Sequence, residues 1–298
     1  MNGTLLFLAL GALPQGLVLS PRALPLAVAQ RLTLDIAAAK SAAPATFSGL
    51  QALIAELPRL DAQKRGNLPT LTPRLSRLGP DALLPMLEAI AFQAPDRAPW
   101  TESAERGLRL SLIEAAGMLR DARAEPVFLA ILASDERDFA TLQLTAEALG
   151  RLESDAAVDA LLAAATTDKR DAVLAGMGQC RRARIADALS VALDGARSPA
   201  HAKSVVRSLA HVGNAAAWKL GGPYADEARA VRATAAEALL RAFVAYDDEA
   251  RDAASNGLMV VDFAETPVLI ARARVLADAA TAAALDELAQ RFARNPTR

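Results

Sequence analysis

Apolar residues recur through the middle of the chain with a period near 3.6 residues, which is the period of an α-helix. One stripe is short, with apolar positions at i, i+3 and i+4, and it occurs three times. Its members are Phe128, Ile131 and Leu132, then Leu161, Ala164 and Ala165, then Leu189, Ala192 and Leu193. A longer stripe runs from Leu108 to Leu119 and recurs from Val231 to Ala242. Each stripe predicts a helix with one apolar face.

The two stripes repeat along the chain at nearly constant spacing. Glu114 and Gly117 match Glu147 and Gly150 at an offset of 33 residues. Gly150 then matches Gly178 at an offset of 28 residues, and the next match follows after 32 residues. Offsets of about 30 residues fit a hairpin of two helices of roughly 12 residues each, joined by short turns.

Turn-forming residues separate the stripes, at 119–121, 153–155 and 213–214. A single helical hairpin cannot bury its apolar face alone, so neighbouring hairpins must stack on one another. The sequence therefore predicts an all-α fold, an α-solenoid of stacked helical hairpins with no sheet. We expect about five repeats in residues 80–248.

Composition favours the same fold class. Alanine accounts for 71 of the 298 residues, whereas aromatic residues make up only 4%. Alanine has the highest helix propensity, and the aromatic residues that favour strands are scarce. Alanine also lets helices approach closely, so many thin helices can form a core without large aromatic side chains.

Two runs of residues carry a resemblance to a known family. Val231 and Arg232 precede Ala-Ala-Glu-Ala-Leu at 235–239, and Ala-Glu-Ala-Leu-Gly-Arg-Leu at 146–152 precedes Ala-Val at 157–158. Over about residues 80–248 the chain resembles the HEAT-repeat family, most closely the short HEAT-like repeats of the phycobilin-lyase type. The resemblance implies an armadillo-like α-solenoid and says almost nothing about function.

In that family the arginine after the valine commonly pairs with an acidic residue of the neighbouring repeat. Matching arginines here are Arg109, Arg170 and Arg232, but the pattern is interrupted at 141–142 and 201–202. The resemblance therefore implies an arginine ladder that is broken twice.

The N-terminus carries an apolar stretch at 5–19 that is too short and too broken to form a stable membrane span. Ala27, Val28 and Ala29 precede Gln30 in an A-x-A pattern, which is typical of signal-peptide cleavage. We predict a signal peptide over residues 1–29 and a bacterial periplasmic or secreted protein. The alternative is a retained N-terminal helix that packs on the body of a cytoplasmic protein.

Less regular segments flank the repeats. Residues 30–79 contain Pro-rich breaks at 41–46 and 67–73, and we interpret them as a linker with degenerate helices. Residues 249–298 predict further helices, the last of which carries charged residues on one side. A polar outer face is what the end of a solenoid requires, so this region is expected to cap it.

Sequence motifs for catalysis are missing. The chain has no phosphate-binding loop, no G-x-S-x-G, no H-E-x-x-H and no C-x-x-C pattern. Its only cysteine, Cys180, and the nearby Gly176 and Gly178 are interpreted as packing residues within a helix. We expect no catalytic, cofactor-binding or metal-binding residues, and the net charge of −1 argues against a nucleic-acid partner.

Known enzymes with a HEAT fold offer the main alternative function. The di-iron hydroxylases of this kind need His-Glu pairs, but His201 precedes Ala202 and His211 precedes Val212. Nothing marks a bilin pocket, as a lyase would need. A HEAT-fold enzyme or lyase subunit is therefore kept only as the alternative.

Partner binding is the function that the remaining features favour. An insertion at 218–224, which begins with Trp218 and ends with Tyr224, interrupts the repeat. Trp100 lies in a Pro-containing loop at 93–101. Trp and Tyr are favoured anchors at interfaces, although a local hydrophobic plug is the simpler role for the insertion. If these aromatic residues do not bind, the helices of Arg109, Arg170 and Arg232 are the next candidates for the interface.

A basic turn contains Arg181, Arg182 and Arg184, which we interpret as a solvated turn, with an anion site as the alternative. Taken together, the residues predict a non-enzymatic HEAT-like scaffold that binds another protein through its extended helical surface. The partner and the oligomeric state are left open.

Overall fold

The computed structural model describes residues 15–64, 67–96, 100–247 and 249–295. These residues form seventeen α-helices and a few short 3-10 turns, and no strand occurs among them. The predicted all-helical fold is thereby confirmed for the described part of the chain. The chain divides into two compact units, Met1–Leu119 (unit 1) and Arg120–Arg298 (unit 2).

Unit 1 contains six helices, one of which is buried at its centre. They are α1 (Leu26–Ala42), α2 (Pro44–Ala55), α3 (Leu57–Gln63), α4 (Thr72–Ser76), α5 (Leu83–Ala91) and α6 (Glu102–Met118). Every residue of α5 except Glu88 is buried, and α1, α2 and α6 pack against it. Thr101 caps α6 by accepting a hydrogen bond from the backbone N–H of Ala104 at 3.0 Å.

The segment before α1 is part of the core of unit 1. The N–H groups of Leu17 and Val18 donate to the carbonyls of Ala89 and Ile90 at 2.9 and 3.0 Å. Leu17, together with Leu19 and Leu24, is buried. The predicted cleavage pattern at 27–29 lies within α1, whereas residues 1–14, which include most of the apolar stretch, lie outside the described residues.

Unit 2 contains the other eleven helices. They are α7 (Glu125–Ala133), α8 (Phe139–Leu152), α9 (Asp155–Ala164), α10 (Arg170–Gly176), α11 (Ala183–Asp194), α12 (Pro199–Val212), α13 (Ala215–Lys219), α14 (Ala228–Ala245), α15 (Glu249–Val261), α16 (Thr266–Leu276) and α17 (Ala279–Ala293). Asp138, Ser154 and Ser198 cap α8, α9 and α12 with side-chain oxygens.

Alternate helices of unit 2 contact each other in two rows. The first row is α8, α10, α12 and α15, and the second row is α7, α9, α11, α14 and α16. Helices of one row also pack on helices of the other, as α7 does on α8 and α14 on α15. Helix α17 packs on α16 and α15.

Two glycines allow the first-row helices to approach closely. A Cβ atom on Gly176 would lie 2.2 Å from the carbonyl oxygen of Gln143, and one on Gly178 would lie 2.5 Å from that of Ser208. Only glycine fits at such distances, which agrees with the packing role predicted for both residues. Helix α10 nevertheless ends at Gly176, so Gly178 lies in the following 3-10 turn rather than within a helix.

The position of α14 differs from the one its sequence indicates. Its Ala236–Leu239 stretch matches α8, a first-row helix, but α14 contacts α11 and α16 in the second row. The preceding helix α13 has only five residues, too few to occupy a full second-row position. The longer α14 occupies that position, and α15 takes the place beside α12.

Candidate binding surfaces

Trp218 lies on α13 and is only 9% exposed. Its indole N–H donates to the carbonyl of Val212 at 2.9 Å, and the guanidinium of Arg181 lies 5.4 Å from the ring centroid. This is the geometry of a local hydrophobic plug, the simpler of the two roles considered for the insertion. The side chain has its polar group satisfied and offers little surface to a partner.

The other two candidate aromatic residues are half-buried. Tyr224 lies beneath the guanidinium of Arg182, which is 3.7 Å from the ring centroid. Trp100 belongs to unit 1 and directly precedes Thr101, whose hydroxyl donates to Asp61 at 2.6 Å. Both rings retain exposed surface, so a role as anchors stays a prediction for them.

Two of the three arginines of the basic turn are buried or nearly buried and are paired with acidic side chains. Arg181 is 9% exposed, and its Nε donates to Glu153 at 2.6 Å. Arg182 donates to Glu227 and to Asp155, each at 3.0 Å. The interpretation as a solvated turn is therefore wrong for these two arginines, because acidic side chains distant in sequence enclose and neutralise them.

Arg184 is the more exposed third member of the turn, and it donates to Asp159 at 2.8 Å. Cys180, at the start of the turn, is fully buried. Burial raises the pKa of the Cys180 thiol to about 12. A thiol in this environment stays protonated near neutral pH, which agrees with the packing role predicted for it.

The three arginines of the family pattern occupy different environments. Arg109, on α6 of unit 1, lies 3.8 Å from Glu105 of the same helix. Arg170 is half-buried at the start of α10. In place of an acidic side chain, Arg232 donates to backbone carbonyls at the end of α15, with Nε 3.1 Å from the oxygen of Val261. These terminal carbonyls lack partners within their own helix, so a guanidinium satisfies them.

The first-row face is polar. A groove of about 280 Å³ between α8, α10 and α12 is bordered by Gln143, Gln179, Arg207 and His211. A second groove, of about 470 Å³, lies between α12 and α15 and shares Arg207 and His211. These groups can hydrogen-bond a polar ligand.

The second-row face is more apolar. A groove of about 450 Å³ between α7 and α9, here called the α7–α9 groove, has a largely aliphatic lining. The aliphatic residues that line it are Leu129, Leu132, Ala133, Ala160, Ala163 and Ala164. On α11 of the same row, Val191 is 72% exposed.

Charged residues close one end of the α7–α9 groove. Arg137 and Asp168 form an exposed ion pair at 3.3 Å. Lys169 is buried, and its Nζ donates to the carbonyls of Leu132, at 2.7 Å, and Ser134. Burial, assisted by the charge of Arg137, lowers the pKa of Lys169. The groove thus offers an apolar wall with polar groups at one end.

A second apolar groove lies at the C-terminal end of the second row, between α14 and α16. It has a volume of about 470 Å³ and is called the end groove here. Its large apolar side chains are Leu240, Val244, Leu269 and Leu276. Leu276 is 89% exposed. The sequence reasoning missed this groove, although α16 has apolar residues around most of its circumference, which is the signal that would have found it.

Neither a protein-family model nor a curated protein sequence matches this chain. The described helices include none with the length and apolar character required to cross a bilayer. Nor do the described residues contain a group of three or more His, Cys, Asp or Glu side chains arranged to hold a metal ion.

Proposed function

We propose that this protein is a non-enzymatic scaffold of HEAT-like repeats that binds another protein through the second-row face of unit 2. Two observations support the repeat architecture. The sequence motifs recur at offsets of about 30 residues, and alternate helices contact each other in two rows, as in stacked helical hairpins. An α-solenoid of the HEAT or armadillo type accounts for both.

The α7–α9 groove is the observation that carries the binding proposal. Its lining is aliphatic over two adjacent helices, and α11 of the same row carries a further exposed apolar residue, Val191. Exposed apolar surface bordered by polar groups is typical of sites where proteins bind each other. The first-row face, in contrast, presents amide, basic, acidic and hydroxyl groups in its grooves.

An amphipathic helix of the partner is the occupant that this groove favours. The groove is formed by two neighbouring helices, and such grooves accept the apolar stripe of a third helix. The ion pair of Arg137 and Asp168 at one end offers charges of both signs to the polar side of that helix. The ammonium group of Lys169 does not contribute to binding that helix, because two carbonyls already accept hydrogen bonds from it.

Two substitutions test the binding face. Ala163 and Val191 are exposed, so Ala163→Arg and Val191→Asp should leave the fold intact while they obstruct the second-row face. We expect affinity capture from the native host to recover at least about tenfold less partner with Ala163→Arg than with wild type, since anchoring contacts contribute 1.4 kcal/mol or more. Recovered proteins are quantified by mass spectrometry.

The control matched to Val191→Asp is Leu276→Asp, which also places a negative charge on an exposed apolar position, but in the end groove. This variant should recover the partner as wild type does. Unchanged recovery with both Ala163→Arg and Val191→Asp would show that the partner binds elsewhere. The half-buried rings of Trp100 and Tyr224 and the helices of Arg109, Arg170 and Arg232 would then be tested next.

The location of the protein is a separate proposal. Export to the periplasm with cleavage after Ala29 rests on the A-x-A pattern. The buried Leu17, Leu19 and Leu24 support the alternative, an adaptor that retains its N-terminal helix in the cytoplasm, because cleavage after Ala29 would remove all three from the core of unit 1.

A further inference from the structure

Helices near the two ends of the chain bury very little of their apolar surface. Of the 17 residues of α1, only Leu32 and Ile36 are buried. Of the 11 residues of α16, only Thr266 and Ile270 are buried. Helices with apolar residues on several sides are normally covered by other elements. Each of these two helices therefore presents an apolar face that lacks a partner within the described residues.

We propose that α1 of one copy occupies the end groove of a second copy, so that molecules associate head to tail. On the exposed side of α1, Leu26 is 74% and Leu34 is 68% exposed. Eight residues separate them, which corresponds to about 12 Å along a helix. The wall of the end groove from Leu269 to Leu276 spans about 10 Å by the same measure. The two leucines of α1 thus match the length of the groove.

Charge complementarity sets the direction of α1 in the groove. Two opposite charges border the end groove: Arg241 is paired with Asp194, whereas Glu237 is exposed and forms no ion pair with another described residue. Arg31 precedes Leu34 by three residues, so it lies beside it on the helix surface. Its side chain is 77% exposed and pairs with Asp35 of the same helix at 3.0 Å. A guanidinium has five N–H donors, so Arg31 of the second copy can also bond Glu237.

The contact is heterologous, because it joins two different surfaces. Each molecule in a pair keeps one end groove and one α1 unoccupied, so further copies can add to form a ring or a filament. One helix in one groove buries less than the about 800 Å² per partner of a standard interface. The association is therefore expected to be reversible and to depend on concentration. Leu34 follows the Ala29–Gln30 bond but Leu26 precedes it, so the contact through both leucines requires the uncleaved chain.

Sedimentation velocity on the full-length protein tests the proposal with two variants that each block one surface. Leu34→Asp blocks α1, and Leu276→Asp blocks the end groove. At about 100 µM, wild type should form species larger than a dimer, and their share should fall on dilution. Each variant alone should be monomeric. An equimolar mixture should form a dimer and nothing larger, because only one intact contact can be made per pair.

Several results would overturn the proposal. A wild-type protein that stays monomeric would show that the end groove is not occupied by a second copy. Association that survives in Leu34→Asp would exclude α1 as the occupant, and a mixture that stays monomeric would exclude the head-to-tail arrangement. Circular dichroism spectra identical to wild type establish that the variants are folded, as expected for exposed positions.

A charge reversal gives an independent measurement that does not rely on new buried charge. Glu237→Arg should weaken association about tenfold by placing two cations together. Adding Arg31→Glu should restore it, and failure to restore it would contradict the predicted direction of α1. Val191→Asp is the control and should associate as wild type does. Val191 and Ala163 are not part of the end groove. Failure of the partner-binding proposal and failure of the self-association proposal are therefore detected by different variants.

Discussion

At the scale of single residues, cationic side chains repeatedly bond the last carbonyls of a neighbouring helix. Lys169 bonds the end of α7 and Arg232 the end of α15. Arg182 bonds the carbonyl of Glu153 at 3.0 Å, and Arg251 bonds that of Phe243, also at 3.0 Å. The C-terminal carbonyls of a helix lack internal partners and carry partial negative charge. In unit 2 these cations join helices to one another.

Glu153 takes part in a buried contact of the same region, an ion pair with Arg181. It has left-handed backbone geometry, with φ at 57°, and is 5% exposed while its side chain accepts from Arg181. Glu153→Ala leaves the Arg181 guanidinium buried without its carboxylate, so we expect a loss of about 3 kcal/mol in the free energy of unfolding. Urea unfolding followed by Trp218 fluorescence in a Trp100→Phe background measures it.

Two further variants separate the loss of the ion pair from the effect of the left-handed backbone and from the loss of a carboxylate as such. Glu153→Gly loses the same ion pair but relieves the left-handed strain, so it should be less destabilising than Glu153→Ala by about 1 kcal/mol. Glu237→Ala removes an exposed carboxylate that pairs with no cation of the described residues, and it should change stability by less than about 0.5 kcal/mol. Equal stability of Glu153→Ala and wild type would mean that the ion pair with Arg181 contributes nothing to the free energy of unfolding.

At the scale of elements, backbone hydrogen bonds and buried leucines fix the segment that precedes α1 to the core of unit 1. Backbone bonds of Leu17 and Val18 tie it to the end of α5, and Gly16 lies so close to Ile90 that a Cβ atom would be 2.3 Å from its carbonyl oxygen. The N-terminal part of the described chain is thus integrated into unit 1.

A chain that begins at Gln30 should be less stable than the full-length chain. It lacks Leu17, Leu19 and Leu24, and removing a buried leucine side chain typically costs about 2–5 kcal/mol. Calorimetry should show a lower melting temperature for unit 1, whereas exposed Leu26→Ala in the full-length chain should leave it nearly unchanged. Equal melting temperatures of the two chains would show that the segment contributes no stability.

At the scale of the whole molecule, the two rows of helices in unit 2 are the main evidence for a repeat architecture. An open solenoid is longer than a globule of the same number of residues. We expect small-angle scattering at low concentration to give a radius of gyration above the about 19 Å of a compact 298-residue chain. A value at the compact expectation would contradict the solenoid. The Leu276→Asp variant is the control, since it removes any contribution from self-association.

Features set by neighbours in sequence could be predicted, whereas features set by distant segments could not. The 3.6-residue stripes predicted the helices of unit 2, because one face of each helix must be apolar to be buried. The environments of Arg181 and Arg182 were not predictable, since their partners Glu153 and Glu227 lie 28 and 45 residues away. The row occupied by α14 was likewise not predictable, because it depends on the short length of α13.

The sequence by itself determined that the described chain is helical, since helix propensity and apolar period act over a few residues. Only the tertiary structure decided which surfaces are buried and which are free. It placed Trp218 inside and Leu276 outside, although both are large apolar residues near turns. Burial depends on what another part of the chain brings to each side of a helix, and periodicity along one helix does not contain that information.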